Sequence, residues 1–133
     1  MERSQQTVDA AGGARILVVD DNRDAVRSLA LLLKMAGHQT HVATDGAEAV
    51  EATERFKPHA GLLDIGLPTL DGYEAARRIR QLAGAEATTL VALTGRDGDD
   101  AERLSHEAGF DAHLVKPVNM AALTELLAAR LPG

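Results

Sequence analysis

The sequence has no cysteine and no tryptophan, and its aromatic residues are one tyrosine and two phenylalanines among 133 positions. Without cysteine there are no disulfides, no thiolate metal sites and no cysteine nucleophile, which accords with a reducing compartment. So few aromatic rings give single-stranded nucleic acid nothing to stack on, and leave the core to Leu, Val, Ile and Ala. No apolar run approaches the roughly 18 residues that would cross a bilayer, and residues 1–14 lack the apolar middle of a signal peptide. A cytoplasmic protein without membrane insertion is expected. Positive charge is also short: 14 Lys and Arg against 20 Asp and Glu give a formal charge of −6, which disfavours nucleic acid or an anionic membrane as partner. A chain of this length predicts one domain with a core of its own.

Residues 1–14, with Ser4, Gln5, Gln6, Gly12 and Gly13, show no hydrophobic period and read as a flexible leader or linker before a domain over 15–133. From Arg15 onward short apolar runs alternate with segments of helical period, the pattern of a parallel sheet covered by helices on both faces. Strands are predicted at Ile16–Val19, Gln39–Ala43, Ala60–Leu63, Leu90–Leu93 and Ala112–Val115. The second and fifth mix polar with apolar residues and belong nearer the sheet edges, whereas uninterrupted aliphatic runs suit strands buried on both faces. Gly37, Pro58, Gly84, Gly109 and Pro132 mark helix ends. Val26, Leu29, Ala30 and Leu33 make a stripe that can pack on the sheet, while the fourth helix, about 101–108, offers only Ala101, Leu104 and Ala108 and should grip weakly.

Polar residues stand where strands end: Asp20 and Asp21 after the first, Asp64 after the third, Thr94 after the fourth and Lys116 after the fifth. In an open parallel sheet these ends share one edge, where ligands bind. Three carboxylates gathered there repel one another, so the site must hold a proton or bind a cation. An all-oxygen ligand set favours a hard ion, with Mg²⁺ the first candidate. A lysine and a threonine beside such an ion suit a phosphoryl group, and a carboxylate can itself be the nucleophile. Asp64, at the central strand end, is the better nucleophile, leaving Asp20 and Asp21 for the metal.

Val18-Val19-Asp20-Asp21-Asn22, Leu63-Asp64-Ile65-Gly66-Leu67-Pro68, Asp71-Gly72-Tyr73-Glu74, Ala92-Leu93-Thr94-Gly95 and Val115-Lys116-Pro117 closely resemble the motifs of bacterial response-regulator receiver domains. The resemblance runs from about Arg15 to the end. It implies a flavodoxin-like sheet of order 2-1-3-4-5 with five helices, and a signalling domain that catalyses only its own phosphorylation and dephosphorylation. It further implies that Asp64 accepts a phosphoryl group from a histidine kinase or histidine phosphotransfer protein. Asp21, Asp64 and the Gly66 carbonyl would ligate Mg²⁺, with Asp20 linked through water. Thr94 would bind the phosphoryl oxygen and move, Lys116 would pair with it, and the bond before Pro117 would be cis. The output surface would be the fourth helix, fifth strand and fifth helix. The wording of 64–80 and 108–117 looks most like receivers of hybrid sensor histidine kinases, so either a single-domain regulator or a receiver from a larger kinase is expected.

One departure is His113, where the family commonly has Tyr or Phe. It reads either as a half-exposed edge histidine or as a ring coupled to Thr94 that can also change charge. Gly66 and Arg96, two residues beyond Asp64 and Thr94, occupy positions that tune acyl-phosphate lifetime in this family. Taken alone, Asp20-Asp21 could merely cap the following helix. His38 and His41 read as surface histidines, Arg77, Arg78 and Arg80 as a solvated face, and 97–100 as an acidic loop. Two other functions compete: a phosphorylation-independent docking receiver, and a Mg²⁺-dependent aspartate-nucleophile phosphatase. The latter would place a second acid two residues after its nucleophile, where this chain has Gly66.

Overall fold

The five predicted strand segments become five strands: β1 (Arg15–Val19), β2 (Gln39–Ala43), β3 (Ala60–Asp64), β4 (Thr89–Thr94) and β5 (Ala112–Val115). The computed structural model describes residues 13–82, 84–95 and 99–131. All strand pairs are parallel, in the order β2-β1-β3-β4-β5, so the two polar-containing strands form the edges. A parallel pair needs a crossover, and the periodic segments supply it as α1 (Arg23–Met35), α2 (Gly46–Phe56), α3 (Gly72–Arg80), α4 (Asp99–Ala108) and α5 (Met120–Arg130). The fold is the doubly wound, flavodoxin-like arrangement that the motifs imply.

Alternation along the inner strands divides the core in two. Ile16, Val18, Leu62, Val91 and Leu93 pack with Val26, Ala30 and Leu33 of α1 and Leu123 and Leu127 of α5. Leu17, Val19, Leu63, Leu90 and Ala92 pack with Ala49 and Ala52 of α2, Ala75 and Ile79 of α3, and Phe110. The predicted α1 stripe is therefore the buried one. α4 adds only Ala108 to the apolar core, and Leu104 is 39% exposed.

Three local readings change. α4 opens two residues early, at Asp99, and the carboxylate of Asp100 suits the positive end of a helix dipole. Arg80 does not share a solvated face with Arg77 and Arg78. Its guanidinium donates to the carbonyls of Gly109, Ala85 and Thr88 at 2.8–2.9 Å and to the Asp111 carboxylate at 2.8 Å, while Asp111 also accepts the Leu90 N–H at 2.8 Å. One side chain thus ties α3, the turn before β4 and the α4–β5 corner, satisfying carbonyls that no strand reaches. His38 is half-buried and bonded to the Ala14 N–H rather than simply solvated. The leader falls outside the described residues up to position 12, as does Pro132. Of its last two residues, Ala14 is buried, 3% exposed, and its carbonyl accepts the Gln39 N–H at 2.9 Å.

Candidate functional site

Register brings the strand ends level: Val19 pairs with Leu63, Asp64 with Leu93, and Thr94 with Val115. Backbone bonds then hold the residues that follow, Asp20 N–H to Ala43 O at 3.2 Å, Ile65 N–H to Leu93 O at 3.1 Å and Lys116 N–H to Thr94 O at 2.7 Å. Asp20, Asp64, Thr94 and Lys116, far apart in sequence, are thereby delivered to one edge. The simpler reading of Asp20 and Asp21 as helix caps fails on geometry. Asn22 is the N-cap of α1, its side chain accepting the Ala25 N–H at 3.0 Å, while Asp20 turns inward and receives the Asn22 N–H at 3.0 Å.

Carboxylate oxygens of Asp20, Asp21 and Asp64 lie within 4.8 Å of one another. Asp20 is 5% exposed, Asp64 half-buried and Asp21 exposed, so the cluster opens to solvent on the Asp21 side. The Lys116 ammonium sits 2.9 Å from Asp20 Oδ2 and 3.3 Å from Asp64 Oδ2. Burial pushes the Asp64 carboxyl up; Lys116 opposes this, the Asp20 charge adds to it, and the net direction is upward. For Lys116, burial alone would lower the ammonium, but the bond to Asp20 and the charges of Asp64 and Asp20 outweigh it and raise it. One lysine does not neutralise three carboxylates, and what remains is a hard, all-oxygen, partly open donor set that fits a divalent cation such as Mg²⁺.

The remaining predicted residues fall as follows. Thr94 ends β4 with 5% exposure, and the Lys116–Pro117 bond is cis. Gly66 lies at the mouth of the cluster, its N–H donating to Asp64 Oδ1 at 3.3 Å, and a Cβ there would meet nothing within 4 Å. His113 is half-buried on β5 and lines a groove with Ser105, His106 and Phe110. Arg96 lies outside the described residues.

Gly72 carries a role that its motif alone did not disclose. Its N–H donates to Ile65 O at 2.9 Å, and a Cβ on it would lie 2.5 Å from the Asp64 carbonyl oxygen and 2.7 Å from Ile65 Cα. Those are backbone atoms, which cannot swing aside as a side chain can. Gly72→Ala is therefore expected to cost about 1–3 kcal/mol in urea denaturation and to shift Asp64 in the process. Gly66→Ala, with open space around it, is the control and should change stability by less than about 0.5 kcal/mol. Equal effects from the two would remove the proposed role of Gly72.

Residues 16–128 match the family described as "Response regulator receiver domain". The chain is 42% identical over 114 residues to the response regulator MprA of Mycobacterium leprae, covering 86% of this chain and 48% of that protein. It thus spans about half the length of the curated relatives it matches. Among solved structures it is similar to the receiver domain of the sensor histidine kinase PA1611 of Pseudomonas aeruginosa, with TM-score 0.81 and 32% identity over 89% of this chain and 97% of that one. In that protein a magnesium ion is coordinated in the active-site cleft. It is also similar to the Vibrio cholerae chemotaxis protein CheY4, with TM-score 0.84 and 25% identity over 90% and 99% of the two chains.

Proposed function

The chain belongs to the response regulator receiver domain family of two-component systems, and on that premise we propose that Asp64 is its phosphoacceptor. An Asp64 carboxylate oxygen attacks the phosphorus of a phosphohistidine on a histidine kinase or phosphotransfer protein. A P–O bond forms, the donor's P–N bond breaks, and the imidazole leaves with the electron pair. Hydrolysis by water later returns the carboxylate and inorganic phosphate, so the domain acts only on itself. The carrying observation is the convergence of Lys116 and the Asp20, Asp21 and Asp64 oxygens at one strand-end edge.

Asp20, Asp21, Asp64 and the Gly66 carbonyl are the groups that would hold Mg²⁺. The ion supplies charge neutralisation for the phosphoryl oxygens. Lys116 donates to a phosphoryl oxygen once its bond to Asp64 is given up, and the Thr94 hydroxyl donates to another. Charge-assisted hydrogen bonds are worth about 1.5–3 kcal/mol each, so two or three match the roughly 5.5 kcal/mol that moves a two-state equilibrium from 1:99 to 99:1. We assign the switch to Thr94 and His113, on adjacent strands, and the output surface to α4, β5 and α5. Gly66 and Arg96 are assigned to the lifetime of the acyl phosphate. A cavity of about 520 Å³ lined by Asn22, Ala25, Leu32, Lys116, Pro117 and Met120 lies beside the cluster and suits the approach of the donor protein. No helix among the described residues is long and apolar enough to cross a membrane.

Incubation with Mg²⁺ and a small acyl-phosphate donor should add one phosphoryl group by intact mass, and excess chelator should abolish it. No adduct from any donor, phosphorylated histidine kinases and phosphotransfer proteins included, would favour a docking module. Steady phosphate release from varied monoesters would favour a phosphatase.

A further inference from the structure

The opposite edge of the sheet carries an arrangement that phosphoryl chemistry does not use. β1 pairs on both sides, with β2 and β3, and at its entry two imidazoles begin the ladders. The Ala14 N–H donates to His38 Nδ1 at 2.9 Å, and the Arg15 N–H donates to His59 Nδ1 at 2.9 Å. Backbone bonds run back beside them, Gln39 N–H to Ala14 O at 2.9 Å and His59 N–H to Arg15 O at 2.8 Å. His38 is the residue before β2 and His59 the residue before β3, so the two rings hold equivalent places on either side of β1.

A ring nitrogen accepts only when it carries no proton. Each ring therefore keeps Nδ1 bare, and a second proton would turn that acceptor into a donor facing another N–H. His59 is the more constrained: its Nε2 is buried and without a hydrogen-bond partner among the described residues. The charged groups around it are Arg15 on β1 and Glu54 and Lys57 of α2 and its C-cap, which share the wall of a cavity of about 380 Å³. Burial first, and Arg15 second, lower its pKa from the ordinary 6.5. Beside His38, whose N–H donates to Leu33 O at 3.1 Å, the charged residue in the last turn of α1 is Lys34.

We propose that His38 and His59 form an acid-released clasp on the entry of β1, letting go of the Ala14 and Arg15 amides when the rings take up a second proton. The release stays local. Ile16–Val19 pair through backbone on both sides, and the Arg15 guanidinium still donates to the Phe56 and Lys57 carbonyls at 2.7–3.1 Å. The clasp is therefore a pH-sensitive attachment at the point where the residues before β1 join the sheet, distant from Asp64 and independent of its role.

The sign follows from linkage. A histidine whose folded pKa is lowered stabilises its bond above the ordinary value, and the stabilisation is lost as pH falls from there through the folded value. Amide hydrogen exchange followed by NMR from pH 7.5 to 5, corrected for intrinsic rates, should show Arg15, held by His59, losing protection below about 6.5, by up to about tenfold per pH unit, and Ala14 losing protection as the His38 ring takes up its second proton. Leu17 and Val18 should not change. A His38→Asn, His59→Asn chain, whose side-chain oxygens accept without titrating, should give a flat profile. A flat wild-type profile, or a fall that the double variant retains, overturns the clasp. Should that variant not fold, the wild-type ring nitrogens decide. Each ring protonating in step with the loss of protection at the amide it holds, His59 below 6.5, supports the proposal, and titration without that loss defeats it.

Discussion

Asp64→Asn is expected to leave the chain unable to take up a phosphoryl group under conditions that label the wild type, while folding at least as stably. The two outcomes have separate causes. The amide is nearly isosteric with the carboxylate but is no nucleophile, so the adduct should fall below detection by intact mass. Stability moves the other way because the Asp64 carboxyl is pushed up by burial and by Asp20 beyond what Lys116 recovers. A carboxyl with a raised folded pKa contributes stability below its unfolded value and loses it as pH rises through the folded one. Asparagine stays neutral, so at pH 7 it keeps what the ionised wild type gives up. The gain should be small, under about 1 kcal/mol, since the site opens to water on the Asp21 side. It should shrink to nothing as the wild type itself protonates in acid. A variant that loses labelling and also unfolds markedly earlier would show that Asp64 holds the fold together.

Lys116→Met should have the largest effect on stability at this edge, and Mg²⁺ should reverse much of it. The substitution removes the ammonium 2.9 Å from Asp20 and 3.3 Å from Asp64, leaving the Asp20 side chain, 7% exposed, with the Asn22 N–H as its one donor among the described residues. Stranding one partner of a buried pair costs about 3–5 kcal/mol, and the 34% exposure of Lys116 reduces this to roughly 2–3 kcal/mol. An ammonium and a divalent cation compete for the same oxygens, so the variant should bind Mg²⁺ more tightly than the wild type. At about 100 times Kd the ion returns roughly 2.7 kcal/mol. Urea denaturation with and without Mg²⁺ measures both numbers. A Mg²⁺-dependent gain no greater than in the wild type would show that Lys116 does not share its oxygens with the metal. Phosphorylation should fall even in saturating Mg²⁺, because among the described residues Lys116 is the cation that stands against Asp64.

The alternation of aliphatic runs with helical periods announced the sheet and its helices, because a strand buried on both faces is aliphatic along its middle and a helix on a sheet must show one apolar stripe. The strand-end positions of Asp20, Asp64, Thr94 and Lys116 were legible for the same reason: a short strand in a parallel sheet ends where its apolar run ends. Arg80 was misread because three arginines on one helix look alike in sequence, and only the return of Gly109 and Asp111 beside α3 separates the third from its neighbours. The early start of α4 escaped for a subtler reason, since aspartates suit both an acidic loop and a helix N-terminus.

By itself, the sequence determined an aliphatic α/β domain with its acids, threonine and lysine at strand ends, since periodicity and residue chemistry are local properties. It also excluded thiol chemistry and base stacking by what it lacks. Tertiary structure alone decided that Asn22 rather than Asp20 caps α1, that Gly72 must be bare beside the Asp64 backbone, and that His38 and His59 flank one strand entry. Each of these depends on which distant backbone groups arrive at hydrogen-bond or van der Waals distance, and no periodicity within a single segment records that.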